Sequence, residues 1–524
     1  MKRIQLSLVS ALLLVSLLFS SCSATLVPPV SDQEPVSVTE EKETLPQTDD
    51  GKTVISPEDQ AKIDGASALL TTKLLASQLE SLPLASADMT KDELRRLCLD
   101  YFELQLSFQW TPNADVTDYP STYYNFSAPK TLDLGSVYGG IPYQSIGTGN
   151  LYRWMEYYDE ETGVFDIVRA FRENGGDVKT DIEKDENGNV TYYKRRCMMI
   201  FFNQCSVASF WGWARVINSA HFAWTGEMTV KNGFIPVGGF TYGYEHEGKQ
   251  YGMDTISCFG KTDSGNPKGY DTKNVIADWK KLKGNDAMYL CYAEMKPADL
   301  VVSGGHVMMV KSVKPVYLAS GKIDPVASEA VMIEQIEGWG KQTTIGDTPY
   351  KVQGGVDRVY SFEKLQTSRY IPFTFAEFLE EGDPRLQNYK TAATSAYKVF
   401  PEAAEKVTVG VEPGEVYCNG PTENDYIHLS QFKKITVGSN YPISDVFVEL
   451  KDENGNTVLK NTYRATSARI REVSMSAQHA SWDSGRKLYS DLDDFLTGDY
   501  YVEISLQIST GQKLLAYRNL LIGG

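Results

Sequence analysis

The chain has 524 residues, 23% of them charged and 42% hydrophobic, the make-up of a folded globular protein too long for one ordinary domain. A net charge of -17 argues against the basic groove that nucleic-acid binding needs. The acidity suits a well-solvated surface and leaves the substrate open.

The first residues, "MKRIQLSLVSALLLVSLLFSSCS", set Lys2 and Arg3 before an apolar run from Leu6 to Phe19, then Ser20, Ser21 and Cys22. This is the three-part layout of a secretory signal. It resembles a bacterial lipoprotein signal, with Phe19 where that family usually has Leu. The resemblance implies cleavage before Cys22 and lipidation of Cys22 as the mature N-terminus. Plain secretion, or a retained anchor helix, would leave Cys22 incidental. No other stretch approaches the ~18 apolar residues of a membrane span. The expected location is the bacterial cell envelope, lipid-anchored to the membrane and facing outside the cytoplasm. Residues 23–55 are polar, acidic and Pro-bearing, and read as a disordered tether behind the 1–22 signal.

Ordered structure is expected from Ser56-Pro57-Glu58-Asp59, an N-cap, an N1 proline and two acids of a first turn. Leu69, Leu70, Leu74 and Leu75 continue at helical spacing. Thr90 to Glu93, "TKDE", is a capping box that opens a second helix through Leu94, Leu97, Tyr101 and Leu104. "GSVYGGIPYQSIGTGNLYRW" (135–154) reads as an ordered loop leading into a helix; its Gly147-Thr148-Gly149 lacks the flanks of a phosphate loop. "DENGN" at 185–189 is read as a hairpin turn around Asn187-Gly188. As a calcium loop it would put Lys194 where a bidentate Glu is required. The same pentapeptide at 452–456 predicts a second hairpin.

After Pro401 the pattern changes to short runs with period two, such as "DVFVELKDENGNTVLKNTY". Residues 405–524 therefore predict an antiparallel β-sandwich of immunoglobulin-like type. It carries no cluster of catalytic residue types, and reads as a spacer or binding module.

Beyond Cys22 the cysteines are Cys98, Cys197, Cys205, Cys258, Cys291 and Cys418, with no CxxC pair and no close repeated spacing. Neither a cysteine-rich zinc site nor a disulfide framework is expected, and no cofactor or metal. Cys205, in "NQCSVASFWGWARV", heads an apolar helical run. Ala208 and Gly212 let that helix lie close against a sheet, and Trp211 and Trp213 are read as core or cleft wall. A catalytic cysteine needs a base, and only five histidines exist to supply one. His428 and His479 fall in the presumed sandwich, His246 in a polar turn, and His221 past the end of the Cys205 helix. His306 remains. In "MKPADLVVSGGHVMMVKSV" it follows a strand "DLVV" and a Gly-Gly turn and opens a strand "HVMMV". The next strand, "AVMIEQIEGW", carries Glu334, Gln335 and Glu337; Glu334 or Gln335 is expected to orient the imidazole. Taken singly, Cys205 and His306 read equally well as core residues.

Together these stretches resemble the NlpC/P60 and CHAP group of papain-like cysteine peptidases and amidases. Cys205-Ser206, Pro297, Asp299, Leu300, Val301, Gly305, His306 and Val307 match that group's pattern, with Gln204 for the usual aspartate and Ala298 for the usual glycine. The resemblance covers residues 200–340, a quarter of the chain. It implies an α+β, papain-like catalytic domain over 56–400 with an N-terminal helical extension, followed by the 405–524 sandwich. It also implies Cys205 as nucleophile, His306 as general acid–base and the backbone N–H of Cys205 as one oxyanion donor, and leaves a second donor unidentified. The expected function is a lipid-anchored, monomeric cysteine hydrolase acting on cell-wall peptide or protein. A transglutaminase-like acyl transferase with the same pair, or a non-catalytic peptide- or glycan-binding lipoprotein, are the alternatives.

Overall fold

The computed structural model describes residues 54–119, 130–144, 147–174, 200–218, 284–303, 305–335, 355–388, 411–421, 426–465, 470–475 and 499–522, with shorter pieces between 178 and 283 and between 342 and 352. The signal with Cys22, the tether, both members of Asn187-Gly188, and the residues Cys197, Cys258, His221, Glu337 and His479 lie outside them. The architecture is mixed α+β, with several β-sheets and few helices. No helix of the described residues is long and apolar enough to cross a membrane.

Helix α1 (Pro57–Ser67) starts where expected, with the Ser56 hydroxyl accepting the N–H of Asp59 at 3.1 Å. It does not run on through the leucines. The N–H groups of Thr71 and Thr72 both donate to the side-chain oxygen of Gln109, at 2.7 and 3.1 Å, which draws the chain out of helical geometry. The leucine spacing suggested a longer helix, but a partner 37 residues away was invisible to it. Helix α2 (Lys91–Ser107) has its capping box formed, Thr90 N–H to Glu93 Oε2 at 2.7 Å and Glu93 N–H to Thr90 Oγ1 at 3.3 Å. Leu94, Leu97, Cys98, Tyr101 and Phe102 make its buried face.

Asn150 caps α3 (Leu151–Met155), so "GTGNLYRW" is a loop feeding a helix as expected. Its glycines serve backbone approach. A Cβ at Gly147 would come within 2.3 Å of the Phe202 carbonyl oxygen, and one at Gly149 within 2.0 Å of that of Phe201. Trp154 of α3 stacks on Phe165 at 3.8 Å and meets Trp110 edge-on at 4.8 Å, an aromatic core for the 109–174 region.

Helix α4 (Cys205–Ala214) lies between α2 and the principal sheet. A Cβ at Gly212 would sit 3.2 Å from Met309 Cε and 3.4 Å from Phe102 Cβ, which explains the glycine there. Trp211 and Trp213 are core residues, with indole N–H groups on the carbonyls of Thr148 and Ala298. Short helices α5 (Ala287–Ala293) and α6 (Phe362–Thr367) pack on each other.

The principal sheet has six strands: β1 (Ile235–Pro236), β2 (Leu300–Val302), β3 (Val307–Lys314), β4 (Glu329–Gln335), β5 (Gly355–Ser361) and β6 (Ile371–Thr374). They run in the order β5-β4-β3-β2-β6-β1, every neighbour antiparallel. The three strands expected around His306 are therefore present and adjacent, in the expected order.

The buried apolar residues form two main clusters, one from Leu74 to Val411 and one from Ile427 to Leu521. The second belongs to a mainly β unit with one short helix, Leu429–Phe432. Its strands are β7 (Val416–Cys418), β8 (Tyr426–His428), β9 (Thr436–Ser439), β10 (Ile443–Lys451), β11 (Thr457–Arg464), β12 (Glu472–Ser474), β13 (Asp499–Ile508) and β14 (Lys513–Ile522). They make a five-stranded sheet, β8-β14-β13-β10-β11, and a three-stranded one, β7-β9-β12. The 452–456 turn joins β10 to β11 as a hairpin, with Gly455 in the left-handed region at φ 82°. Strands at 183–184 and 190–191 likewise pair antiparallel around the first "DENGN".

Candidate active site

Cys205 is the first residue of α4, after an extended Gln204 whose side chain makes no cap. The first-turn N–H groups and the helix dipole thus face the thiol without a competing carboxylate. His306 immediately precedes β3. The N–H of Ser303 donates to its carbonyl at 2.9 Å, closing the tight turn after β2 and setting the ring at the strand mouth.

The imidazole links two groups. Its Nε2 lies 2.9 Å from Glu334 Oε2. The Cys205 thiol is hydrogen-bonded to the same ring. Glu334 is buried on β4, and its second oxygen accepts Arg358 Nε at 2.8 Å and the Tyr360 hydroxyl at 3.2 Å. The register explains the grouping. Glu334 pairs with Val356, Met332 with Arg358 and Ala330 with Tyr360, so alternate residues of two strands share one face.

The electrostatics follow from this chain of contacts. Burial pushes the Cys205 thiol up. The His306 hydrogen bond and charge, helped by the N–H groups of Val307 and Ser206, outweigh it and hold the thiol below its ordinary value. Burial likewise works against the imidazolium. The Cys205 and Glu334 partners prevail and raise His306 to about 10. Both shifts run in the direction that favours a thiolate–imidazolium pair. Cys98 and Cys418, also free thiols, are pushed up by burial instead. Cys205 is only 5% exposed and the His306 side chain 25%.

Of the two residues expected to orient the ring, Glu334 is the one hydrogen-bonded to it. Gln335 projects from the opposite face of β4, and its amide donates to the Ile141 carbonyl at 3.0 Å. That is a correction which period-two alternation explains: adjacent strand residues cannot share a face. His428 is exposed and heads a short helix beside β8, remote in sequence and sheet from the pair.

The matched "PADL" stretch divides its labour. Asp299 accepts Arg95 Nη1 at 2.7 Å and the Lys296 N–H at 2.8 Å, while Arg95 also reaches the carbonyls of Pro297 and Phe378 and the hydroxyl of Thr374. This buried hub ties the head of β2 to α2 and takes no part in the Cys–His chain. Ala298 sits at φ 66°, in the left-handed region that its glycine counterpart would occupy without strain.

Sequence reasoning missed Arg358, Tyr360 and Tyr370. "DRVYS" alternates visibly, but nothing local says which strand lies alongside. Tyr370 follows Arg369, a left-handed residue at φ 64° that ends α6 with the paired bonds Arg369 N–H to Gln366 O and Tyr370 N–H to Leu365 O, both 3.0 Å. Glycine is the usual residue there, so its absence hid the stop. Burial raises the Tyr370 phenol, and the charges of Glu334 and Cys205 add to the effect.

Compared with protein-family models, curated proteins and solved structures, the chain matches none.

Proposed function

We propose that the chain is a cysteine hydrolase that cleaves an amide bond, with Cys205 as nucleophile, His306 as general acid–base and Glu334 as the residue that orients and charges His306. One observation carries this reading: a buried carboxylate, an imidazole and a helix-N-terminal thiol are connected in series, and the thiol is the one shifted toward thiolate. The finer reading is a papain-like catalytic body joined to an immunoglobulin-like sandwich, and the helix-on-antiparallel-sheet arrangement around Cys205 and His306 supports it.

The chemistry runs in two halves. The Cys205 thiolate attacks the substrate carbonyl carbon, and the carbonyl electrons move onto oxygen. The N–H of Cys205, at the free end of α4, is the donor available to that oxyanion, worth roughly 3 kcal/mol when well aimed. As the tetrahedral centre collapses the C–N bond breaks, and the His306 imidazolium gives its proton to the leaving amine. His306, now neutral, takes a proton from water as the water attacks the thioester. The C–S bond breaks, releasing the carboxylic acid, which gives its proton to solvent, and restoring the ion pair.

Peptidoglycan peptides are the proposed substrate class, and lipidation at Cys22 the proposed anchor. Both rest on the signal sequence and the family resemblance. The test is iodoacetamide labelling of Cys205 by mass spectrometry at pH 7 in the detergent-solubilised chain and its His306→Ala variant, followed by incubation with peptidoglycan fragments. Fast labelling that slows at least tenfold in the variant, with new free amines released from the fragments, is expected. Transfer to an added amine in place of hydrolysis would reassign the same pair to acyl transfer. Equal, slow labelling in both proteins would remove the enzyme reading.

A further inference from the structure

We propose that the C-terminal β-unit is a positioning element of the active site, gripping the nucleophile helix α4 at both ends, and is not a passive spacer. The inference rests on the reading of Cys205 as the reacting group.

At the C-terminal end of α4 the grip is direct. The Ala214 carbonyl accepts the Ser509 hydroxyl at 2.5 Å, from the turn between β13 and β14. Arg215, the C-cap residue, donates to the Thr510 carbonyl in the same turn and to Leu82 O at 3.0 Å. Two residues of the following segment, Asn218 and Ala220, give their carbonyls to Arg471 at 2.7 and 2.6 Å. Gly511 keeps this turn in place. It lies at φ 90°, and a Cβ there would come within 2.2 Å of the Tyr152 hydroxyl on α3.

At the N-terminal end the grip passes through Arg153. Residues 200–203 lead directly into Cys205, and their carbonyls are held in turn. Ile200 O accepts Arg153 Nη1 at 3.0 Å, Phe201 O the Trp154 indole at 2.7 Å, and Phe202 O the Gly149 N–H at 2.7 Å. Arg153 is fully buried; its Nη1 also reaches the Thr148 carbonyl at 3.3 Å, and its Nε and Nη2 donors point into the β-unit. They reach Asp445 Oδ1 at 3.0 Å, Ser444 O at 2.6 Å and Ala465 O at 2.8 Å. Asp445 is in turn 3.4 Å from Arg464, whose guanidinium also holds Glu156 at the end of α3.

A buried guanidinium is tolerated only when its donors are paired. Arg153 divides its donors between the lead-in to Cys205 and the β-unit, so undocking would leave a buried cation without its carboxylate. The nucleophile needs such a brace. His306 stands on the principal sheet, whereas Cys205 stands on a helix that must not slide along it. A displacement near 1 Å is enough to cost a reacting pair about 100-fold.

The test uses the full-length chain with Asp445→Asn and, separately, Ser509→Ala. The readouts are the pH profile of Cys205 alkylation and the thermal unfolding midpoint. Asp445→Asn is expected to slow Cys205 labelling at pH 7 about tenfold and move its acid limb upward, toward that of His306→Ala. Ser509→Ala, which removes one hydroxyl from the other end, is expected to slow it about twofold. Wild-type rate and profile in both variants, with a lowered midpoint, would show an interface that is merely structural and overturn the proposal. Should Asp445→Asn not fold, the Ser509→Ala profile decides by itself. A wild type that labels slowly and ignores His306→Ala overturns the nucleophile reading and this proposal together. A reactive wild type with unmoved variants overturns this proposal alone.

Discussion

Arg358 Nε donates to Glu334 Oε1 at 2.8 Å while His306 Nε2 meets Oε2 at 2.9 Å, so one buried carboxylate faces two cations on its two oxygens. The two are not equivalent. Among the described residues His306 has Glu334 as its only carboxylate partner, whereas the Arg358 side chain is 43% exposed and screened by water. Glu334→Gln keeps the shape and removes the charge, and should slow Cys205 alkylation at pH 7 about tenfold or more. Arg358→Ala should slow it about two- to threefold. Comparing the two rate constants checks the order; a larger loss from Arg358→Ala would mean that Glu334 serves the arginine and not the imidazole.

The shifted values of Cys205 and His306 fix a pH window. Thiolate reactivity should rise at a pH below the ordinary thiol value of 9.0, because the Cys205 pKa is lowered, and the pair should persist until His306 deprotonates near 10. In His306→Ala only burial acts strongly on the thiol, and the limb should move upward. Stability follows the same signs. The raised His306 contributes fully below its ordinary 6.5, and that contribution is lost as pH rises through about 10. The lowered Cys205 contributes fully above 9.0, and loses this as pH falls through its folded value. The two slopes oppose each other where the windows overlap, up to pH 9.0. Alkylation rate and unfolding midpoint, each measured against pH, check the two halves; an alkylation limb at or above 9.0 in the wild type would remove the ion pair.

What local chemistry encodes, the sequence displays. Thr90 and Glu93 announce a helix start, Asn454-Gly455 sits in a hairpin, and "DLVV", "HVMMV" and "AVMIEQ" alternate or run apolar as strands do. Cys205 and His306 stood out because catalytic pairing needs few residue types and this chain has few histidines. Long-range partners left no such mark. Nothing near Thr71 hints at Gln109, and nothing near Glu334 chooses between it and Gln335 until β5 is seen to bring Arg358 and Tyr360 to one face. The C-terminal strands were legible and their docking was not, because Arg153, Arg215 and Arg471 look like surface cations until their acceptors are known.

Ala298 supplies a stability prediction. It is buried at φ 66°, with its N–H on the Val310 carbonyl at 2.9 Å and its own carbonyl accepting the Trp213 indole at 3.2 Å. Those bonds hold a left-handed conformation that costs an L-residue roughly 1–2 kcal/mol. Ala298→Gly relieves that strain, offset by greater freedom of the unfolded chain and the loss of one buried methyl, for a net gain of about 0.5 kcal/mol. Chemical denaturation should show a higher midpoint with unchanged slope, and Cys205 labelling should not move. A lowered midpoint would mean that the buried methyl matters more than the strain.

Gln204 separates helix stability from thiol reactivity. The residue before Cys205 is the N-cap of α4, and here it provides no cap. Gln204→Asn and Gln204→Asp both offer a short oxygen acceptor to the first-turn N–H groups, which typically stabilises a helix by about 0.5–2 kcal/mol. Only the aspartate adds a negative charge beside the thiolate, and that charge opposes the effect of His306 on Cys205. Both variants should unfold at higher temperature. Gln204→Asn should keep the wild-type alkylation profile, while Gln204→Asp should shift its limb upward and slow labelling at pH 7 about threefold or more. If Asp and Asn variants label alike, charge at the N-cap does not reach the thiol, and the glutamine owes its place to packing alone.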